Sequence, residues 1–390
     1  MKDKEIEKLM RRERERQAKA VNLIASENIV SADVLAALGS ELTNKYAEGY
    51  PGKRYYGGNE IIDEVESLCQ KRALDLFKLK PTAWAVNVQP LSGSPANLAV
   101  YSALVPIGGK ILGMSLASGG HLTHGQKVSF TGKAWKGISY GLDKKTERIN
   151  YDDLLTQAMI DKPHIIVAGF TAYPRKIDFK KFRNIADLSG AILLVDMSHF
   201  AGLVAGGAYP SPFPYADVVT TTVHKTLRGP RAAIIFSKRD ERGFSEKIDK
   251  AVFPGLQGGP HMNAIAGVAV ALGEANTPAF KAYAKQVIKN AQTLAAELKK
   301  RGWRIISGGT DSHLILVDVW ENGSGISGKE ASERLEKEGI IVNKNAIPFD
   351  TRSPFDPSGI RLGTAAETTK GAKEKDMVKL AGRIDGCLRK

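Results

Sequence analysis

Two spacings of apolar residues take turns along this chain. Short continuous runs of apolar and β-branched residues recur at KILGMSL (110–116), HIIVAGF (164–170), AILLVDM (191–197), DVVTTTVH (217–224) and AAIIFS (232–237). Each is brief and bounded by polar or turn residues, which predicts strands buried on both faces. Between them the spacing turns helical. FKKFRNIADLSG (179–190) places Phe179, Phe182, Ile185 and Ala186 on one side and stops at a glycine. Strands alternating with helices predict a mostly parallel sheet with helices on both faces. Ligands of such sheets bind at the carboxyl ends of the strands.

The pattern changes near residue 276. HMNAIAGVAVALGEA (261–275) predicts one helix, broken at Asn276–Pro278, and AFKAYAKQVIKNAQTLAAELKKRG (279–302) a second, capped by Gly302. A strand pair follows, then an amphipathic helix over 328–339 and a terminal helix over 373–390. The expected division is therefore a large domain at 21–275 and a smaller α+β domain at 276–390. Residues 1–20 form a charged helical arm, with eight basic and five acidic side chains. The arm has too little apolar surface to fold alone and is expected to pack on a partner.

Composition narrows the classes. A length of 390 residues suits two domains, and 43% apolar with 25% charged residues is ordinary for a soluble globular protein. No apolar signal region opens the chain, and the longest apolar stretch, near Ala264–Leu272, is too short to span a bilayer. Cys69 and Cys387 lie far apart, so no disulfide framework is expected and a cytoplasmic location fits. The net charge of +14 is high, but the basic residues are dispersed and no nucleic-acid motif accompanies them. Nucleic acid is not expected as a partner, and a positive field would draw anionic substrates.

Candidate chemistry sits at strand ends. Lys225, in TTTVHKTLRGPR (220–231), follows a buried strand and is flanked by His224, Arg228 and Arg231. Three cations nearby would lower its pKa and make the amine nucleophilic, as Schiff-base chemistry requires. Asp196 ends the strand AILLVD, and a carboxylate there can keep a pyridine nitrogen protonated. His199, three residues on, is only half of any metal site. SGSPAN (92–97) opens a helix with free N–H groups, which suits a phosphate. It matches neither a Walker loop nor a dinucleotide fingerprint. GGHLTHG (119–125) offers a flat ring, His121, to stack on a planar cofactor. In that order, cradle, ring, carboxylate and lysine compose a pyridoxal-phosphate site.

Longer stretches carry a family resemblance. They are LIASEN (23–28), LTNKYAEGYPGKRYYGG (42–58), NVQPLSGSPAN (87–97), GGHLTHG, VDMSH (195–199), TTVHKTLRGPR (221–231), VFPGLQGGPH (252–261), SGGTDSHLILVD (307–318), VNKNAIP (342–348) and SGIRLGT (358–364). In sequence and order the chain resembles serine hydroxymethyltransferases. The resemblance implies a pyridoxal-phosphate-dependent transferase fold of the aspartate-aminotransferase type, with a seven-stranded, mostly parallel sheet and a smaller α+β domain. It implies reversible transfer of the hydroxymethyl carbon of L-serine to the cosubstrate tetrahydrofolate. The products are glycine and 5,10-methylenetetrahydrofolate.

Roles are implied residue by residue. Lys225 resembles the lysine that holds pyridoxal 5'-phosphate, Asp196 the pyridine-nitrogen partner and His121 the stacking ring. His199 resembles a group near the cofactor's phenolic oxygen or the substrate hydroxyl. Ser92, Gly93 and Ser94 resemble the phosphate cradle, completed by Gly258 and Gly259 of a neighbouring subunit. Thr171 stands where serine is common among the cofactor contacts. Thr222, His224 and Arg231 line the lysine. Glu48 resembles the acid–base carboxylate, and Tyr46 and Tyr56 reach a partner's site, which implies a homodimer with shared active sites. Arg361, assisted by Ser26, resembles the grip on the amino-acid carboxylate. Leu116, Gly120, Leu122 and Asn345 match folate-contact positions. No metal and no membrane is implied, and dimer and tetramer stay open. One departure matters: Ala365 replaces a proline, which is expected to loosen the loop after Arg361. The alternative within the fold is a folate-independent threonine or β-hydroxy-amino-acid aldolase.

Overall fold

The structure, a computed structural model, describes residues 1–320 and 325–389. It comprises two compact units, Asn28–Lys285 and a unit made of Met1–Glu27 with Gln286–Lys390.

The first unit is built on seven strands. In spatial order they are Trp84–Asn87, Ala233–Lys238, Val218–Thr222, Ile192–Asp196, Ile165–Gly169, Lys110–Met114 and Lys136–Tyr140. From Val218–Thr222 to Lys136–Tyr140 all neighbours run parallel. Ala233–Lys238 alone is reversed, antiparallel to both of its neighbours. The sequence pattern located the five strands that carry continuous apolar runs. Lys136–Tyr140 escaped it because this edge strand is largely exposed and buries only Tyr140 fully. Trp84–Asn87 lies at the other edge, at the start of WAVNVQPL.

Burial follows from the layers. Every residue of Ile165–Gly169 and Val218–Thr222 is buried. Helix Gly93–Leu104 packs Ala96, Ala99 and Val100 into one apolar cluster with Ile165, Val167, Leu194, Val218 and Ile235. Helix Phe179–Ser189 lies against Ile165–Gly169 and Ile192–Asp196. The Asp178 carboxylate caps its first turn, and Gly190, at φ +72°, ends it. The aromatic side chains expected on its inner face, Phe179 and Phe182, are buried with Ile185 and Ala186.

The second unit holds an antiparallel sheet in the order Arg304–Ile305, Leu314–Asp318, Gly359–Gly363 and Asn343–Asn345. Helices Gly328–Lys337 and Glu374–Leu388 supply Ala331, Leu335, Met377, Leu380, Ala381 and Ile384 to its core. The terminal helix was expected to reach 390, and Lys390 lies outside the described residues. The N-terminal segment groups here because Val21–Asn22 pairs in parallel with Ile340–Ile341. The Asn22 N–H also donates to Glu367, and Leu23 accepts from the Gly363 N–H. Contact thus draws its boundaries after Glu27 and after Lys285, where the sequence pattern suggested 20 and 275. Residues 21–27 follow their strand pairing, and helix Pro278–Lys300 crosses the second boundary.

Helix Lys4–Lys19 is capped by the Asp3 carboxylate and buries no side chain. Ala365 does not sit in a loose loop. It is the first residue of helix Ala365–Thr369 and is 1% exposed. Among the described residues, no helix is long and apolar enough to cross a membrane.

Candidate active site

Asp196 and Lys225 leave adjacent parallel strands on the same edge of the sheet. Asp196 is the last residue of its strand and is in register with Thr220. The next strand ends at Thr222, and Lys225 follows three residues later. The lysine Nζ donates to Thr222 Oγ1 at 3.1 Å. Its carbonyl accepts from Asn28 Nδ2 at 2.9 Å, and that amide also donates to the Tyr283 hydroxyl. The turn after the lysine is anchored by Thr226. Its hydroxyl donates to the His199 carbonyl and accepts the Gly202 N–H.

Asp196 is 6% exposed and thoroughly bonded. Its Oδ2 accepts from Asn97 Nδ2 at 2.9 Å and lies 3.1 Å from His124 Nε2, while Oδ1 accepts from the Ser198 N–H at 3.1 Å. Burial opposes its charge. The His124 bond and field and the Ser198 contact outweigh that opposition and hold the carboxyl far below the usual carboxylate range. An ionised carboxylate therefore stands at the strand end at any physiological pH.

His121 lies in the loop that supplies His124, the rings 5.6 Å apart. Its Nδ1 accepts the Thr123 N–H at 3.2 Å and lies 2.7 Å from Thr123 Oγ1. Burial, reinforced by His124, pulls its pKa down to about 4, so the ring is neutral at pH 7. His224 is held neutral as well: burial, then Lys225 and Arg231, lower it to about 3. The three cations expected around Lys225 thus reduce to two. Of these, Arg228 stacks on the Tyr283 and Phe280 rings, 4.4 and 5.0 Å from their centroids, and Arg231 is exposed.

The expected cradle is a helix N-terminus. Ser92 is the N-cap of helix Gly93–Leu104 and makes no side-chain cap bond. Pro95 has no N–H, and the Ala96 N–H bonds the Ser92 carbonyl, which leaves Gly93 and Ser94 as the first-turn donors. A Cβ on Gly93 would come within 2.7 Å of Thr222 Cγ2, so only glycine fits against the lysine strand. His199 is buried, its ring tilted against Phe170 at 6.4 Å. The Thr171 N–H donates to Gly119, which ties this residue to the His121 loop.

A second cluster forms in the same unit. Tyr46 and Tyr56 pack edge to face at 5.5 Å, and the Tyr46 hydroxyl donates to Glu48 Oε1 at 3.3 Å. A Cβ on Gly258 would meet Glu48 Oε1 at 3.4 Å, and one on Gly259 would meet the Tyr46 ring. Gly258 and Gly259 thus neighbour Tyr46 and Glu48 of their own chain. Leu116 and Leu122 are exposed, while Gly120 is buried with its N–H on the Ser115 carbonyl.

The remaining expected residues lie in the other unit. Arg361, on strand Gly359–Gly363, is 6% exposed and donates from Nε to Asn343 Oδ1 at 3.0 Å. Burial lowers its pKa to about 10, so it remains a cation at neutral pH. Ser26 is half-buried in the turn after Leu23, and Asn345 pairs with Gly359.

Sequence reasoning passed over Asn28, Asn97, Thr123, His124, Ser198 and Thr220. Asn97 and His124 lay inside quoted motifs, the last residue of SGSPAN and the second histidine of GGHLTHG. Their signal was the i, i+3 pairing with Ser94 and His121, and only burial showed that these two turn inward. A cavity of about 530 Å³ lies elsewhere, lined by Tyr50, Lys71, Trp84 and Arg239 beside the outer strand.

A lysine and an ionised carboxylate at the ends of neighbouring parallel strands, beside a helix N-terminus, define a class. This is an α/β enzyme of the kind whose ligands bind at the carboxyl edge of the sheet. The model of the serine hydroxymethyltransferase family matches residues 1–384. The chain is 54% identical over 383 residues to the serine hydroxymethyltransferase of Desulfotalea psychrophila (strain LSv54 / DSM 12343), covering 98% of this chain and 88% of that protein. It is 55% identical over 387 residues to that of Koribacter versatilis (strain Ellin345), covering 99% and 89%. The chain belongs to the serine hydroxymethyltransferase family, and its activity is that of the family. The family implies pyridoxal 5'-phosphate as cofactor and serine and tetrahydrofolate as substrates.

Proposed function

We propose that this chain transfers the hydroxymethyl carbon of L-serine to tetrahydrofolate with Lys225 as the covalent anchor of pyridoxal 5'-phosphate. The observation that carries the proposal is the ionised, buried Asp196 on the strand next to the lysine, with one acceptor position that no donor takes among the described residues. The residues present fit the cofactor. Gly93 and Ser94 offer N–H groups to a phosphate, and the carboxylate suits a protonated heterocycle nitrogen. When bound, the cofactor supplies an electron sink for the bonds of the amino acid's α-carbon.

The chain's own residues do the rest. Thr222 holds the lysine amine at the strand end by accepting from Nζ. Neutral His121 presents a flat ring without adding positive charge beside the carboxylate. His199, Thr171 and His224 complete the wall on the cofactor side, and Arg231 lines the mouth as an exposed cation. Arg361, with Ser26, holds the substrate carboxylate, for which a guanidinium fork is the suited donor. Glu48, half-buried and bonded to Tyr46, moves the proton of the substrate hydroxyl. Leu116, Gly120, Leu122 and Asn345 contact the folate. Tyr46, Tyr56, Gly258 and Gly259 serve the site of a second copy, so the homodimer is the active unit. The reaction belongs in the cytoplasm.

The test is chemical. Borohydride treatment of the cofactor-loaded protein should leave a pyridoxyl mass on the peptide containing Lys225 alone. Serine cleavage should require tetrahydrofolate. A label on another lysine, or equal rates with and without the folate, overturns the proposal.

A further inference from the structure

A carboxylate offers about four acceptor positions. In Asp196 both positions on Oδ2 are filled, by Asn97 Nδ2 and His124 Nε2, and one on Oδ1 is filled by the Ser198 N–H. Among the described residues no donor takes the remaining position, on Oδ1. Asn97 is itself 1% exposed and uses every polar atom it has. Its second amide proton goes to Thr123 Oγ1 at 2.9 Å, and its carbonyl accepts the Thr220 hydroxyl at 2.7 Å. Thr123 Oγ1 in turn stands 2.7 Å from His121 Nδ1. The ionised carboxylate only accepts, so the amide nitrogen must face it. The amide oxygen is then turned to Thr220, whose hydroxyl donates to it.

One amide therefore joins the neighbouring strands at Asp196 and Thr220, the His121 loop and the helix whose first turn offers Gly93 and Ser94. We infer that Asn97 is a positioning residue. It closes Oδ2 of Asp196, so that an incoming N–H must take Oδ1, and it locks that choice to the His121 loop. The inference rests on the proposed pairing of Asp196 with a heterocycle nitrogen.

The test compares Asn97→Ala and Asn97→Asp with the wild type in pyridoxal 5'-phosphate affinity of the cofactor-stripped protein across pH. The titratable groups facing Asp196, namely His124, His121 and Tyr101, are common to all three proteins. Asn97→Ala should weaken binding about tenfold or more at every pH. In Asn97→Asp a protonated carboxyl can still donate to Oδ2, whereas an ionised one opposes Asp196. Its affinity relative to wild type should stay within about threefold near pH 5 and fall by about tenfold or more toward pH 9. A packing role alone would give a loss that ignores pH.

A flat ratio for Asn97→Asp, or Asn97→Ala within about twofold of wild type, overturns the inference. Should Asn97→Ala fail to fold, Thr220→Val against Thr220→Ser carries the test, since only the serine keeps the donor to the amide. Thr220→Ser should bind as wild type and Thr220→Val more weakly, and equal affinities overturn the inference. Wild-type protein without a label on Lys225 sinks the proposed function. Labelled wild type with a flat ratio sinks only the role of Asn97.

Discussion

The strand-end cluster around Asp196 and the loop cluster around Glu48 are held in opposite ways. At the strand ends the side chains bind one another: Asp196, Asn97, His124, Thr123 and Thr220 form one buried network. In the loop the backbone is held and the tyrosine rings are left out. Arg54, through its guanidinium, grips the Ala47 and Gly49 carbonyls while paired with Asp63 and buried Glu66. Gln89 joins Glu66 and the Gly49 carbonyl. Yet Tyr46, Tyr55 and Tyr56 are 58%, 72% and 51% exposed. The strand-end network of side chains closes within one chain. The braced loop leaves its aromatic rings largely exposed, and that exposure is the support for the proposed sharing of the active site between copies.

The contrast can be broken from either side. The largest effect is expected at the anchor. Lys225→Ala should lower kcat by about 10⁴-fold or more, above roughly 5 kcal/mol of barrier, measured as tetrahydrofolate-dependent glycine formation. Glu48→Gln should cost about 10² to 10⁴ in kcat, as loss of an acid–base group does. Its unfolding free energy should move by less than about 0.5 kcal/mol in urea titration, since the carboxylate sits in the displayed layer. Asp196→Asn should cost about 10² to 10³ in kcat and, unlike Glu48→Gln, should change stability too. A Glu48 variant that unfolds, or an Asp196 variant as stable as wild type at every pH, would erase the distinction.

Acid sharpens it further. The folded pKa of Asp196 is depressed, so its stabilisation is present above the unfolded carboxylate range near pH 4 and is lost as pH falls below it. His121 and His224 are buried neutral, at about 4 and about 3. The unfolded chain binds their protons first, so stability falls as pH drops from about 6.5 toward those values, by at most roughly 3 kcal/mol from His121. His121→Gln in the cofactor-free protein should flatten the urea midpoint between pH 6.5 and 4, and an unchanged slope would refute the neutral ring. The smallest effect is expected at Ala365→Pro, a change within about 1 kcal/mol of unfolding free energy. The first helical position welcomes proline, whereas Thr364, at ψ 0°, does not favour a proline after it.

Much of this was legible along the chain. Fully buried strands announce themselves because both faces are apolar, and such runs located Asp196 and Lys225 at strand ends. The edge strand Lys136–Tyr140 was illegible because an edge half in solvent needs no apolar run. The flanking-cation reading of Lys225 failed at His224 because burial, absent from any spacing rule, keeps that imidazole neutral. Ala365 suggested a loose loop, and the structure starts a helix there. The N-terminal 27 residues gave no hint that they pair with a strand more than three hundred positions away.

The amino-acid order alone determined which segments become the buried strands, which residues stand at their ends, and the family the chain resembles. Periodicity and motif spacing are local properties, readable within a few turns of chain. Only the tertiary structure decided that Asn97 and His124, 99 and 72 positions from Asp196, close the same carboxylate oxygen. A hydrogen bond demands placement to a few tenths of an ångström. That precision comes from packing a helix, two strands and a loop together, and no single stretch of sequence contains it.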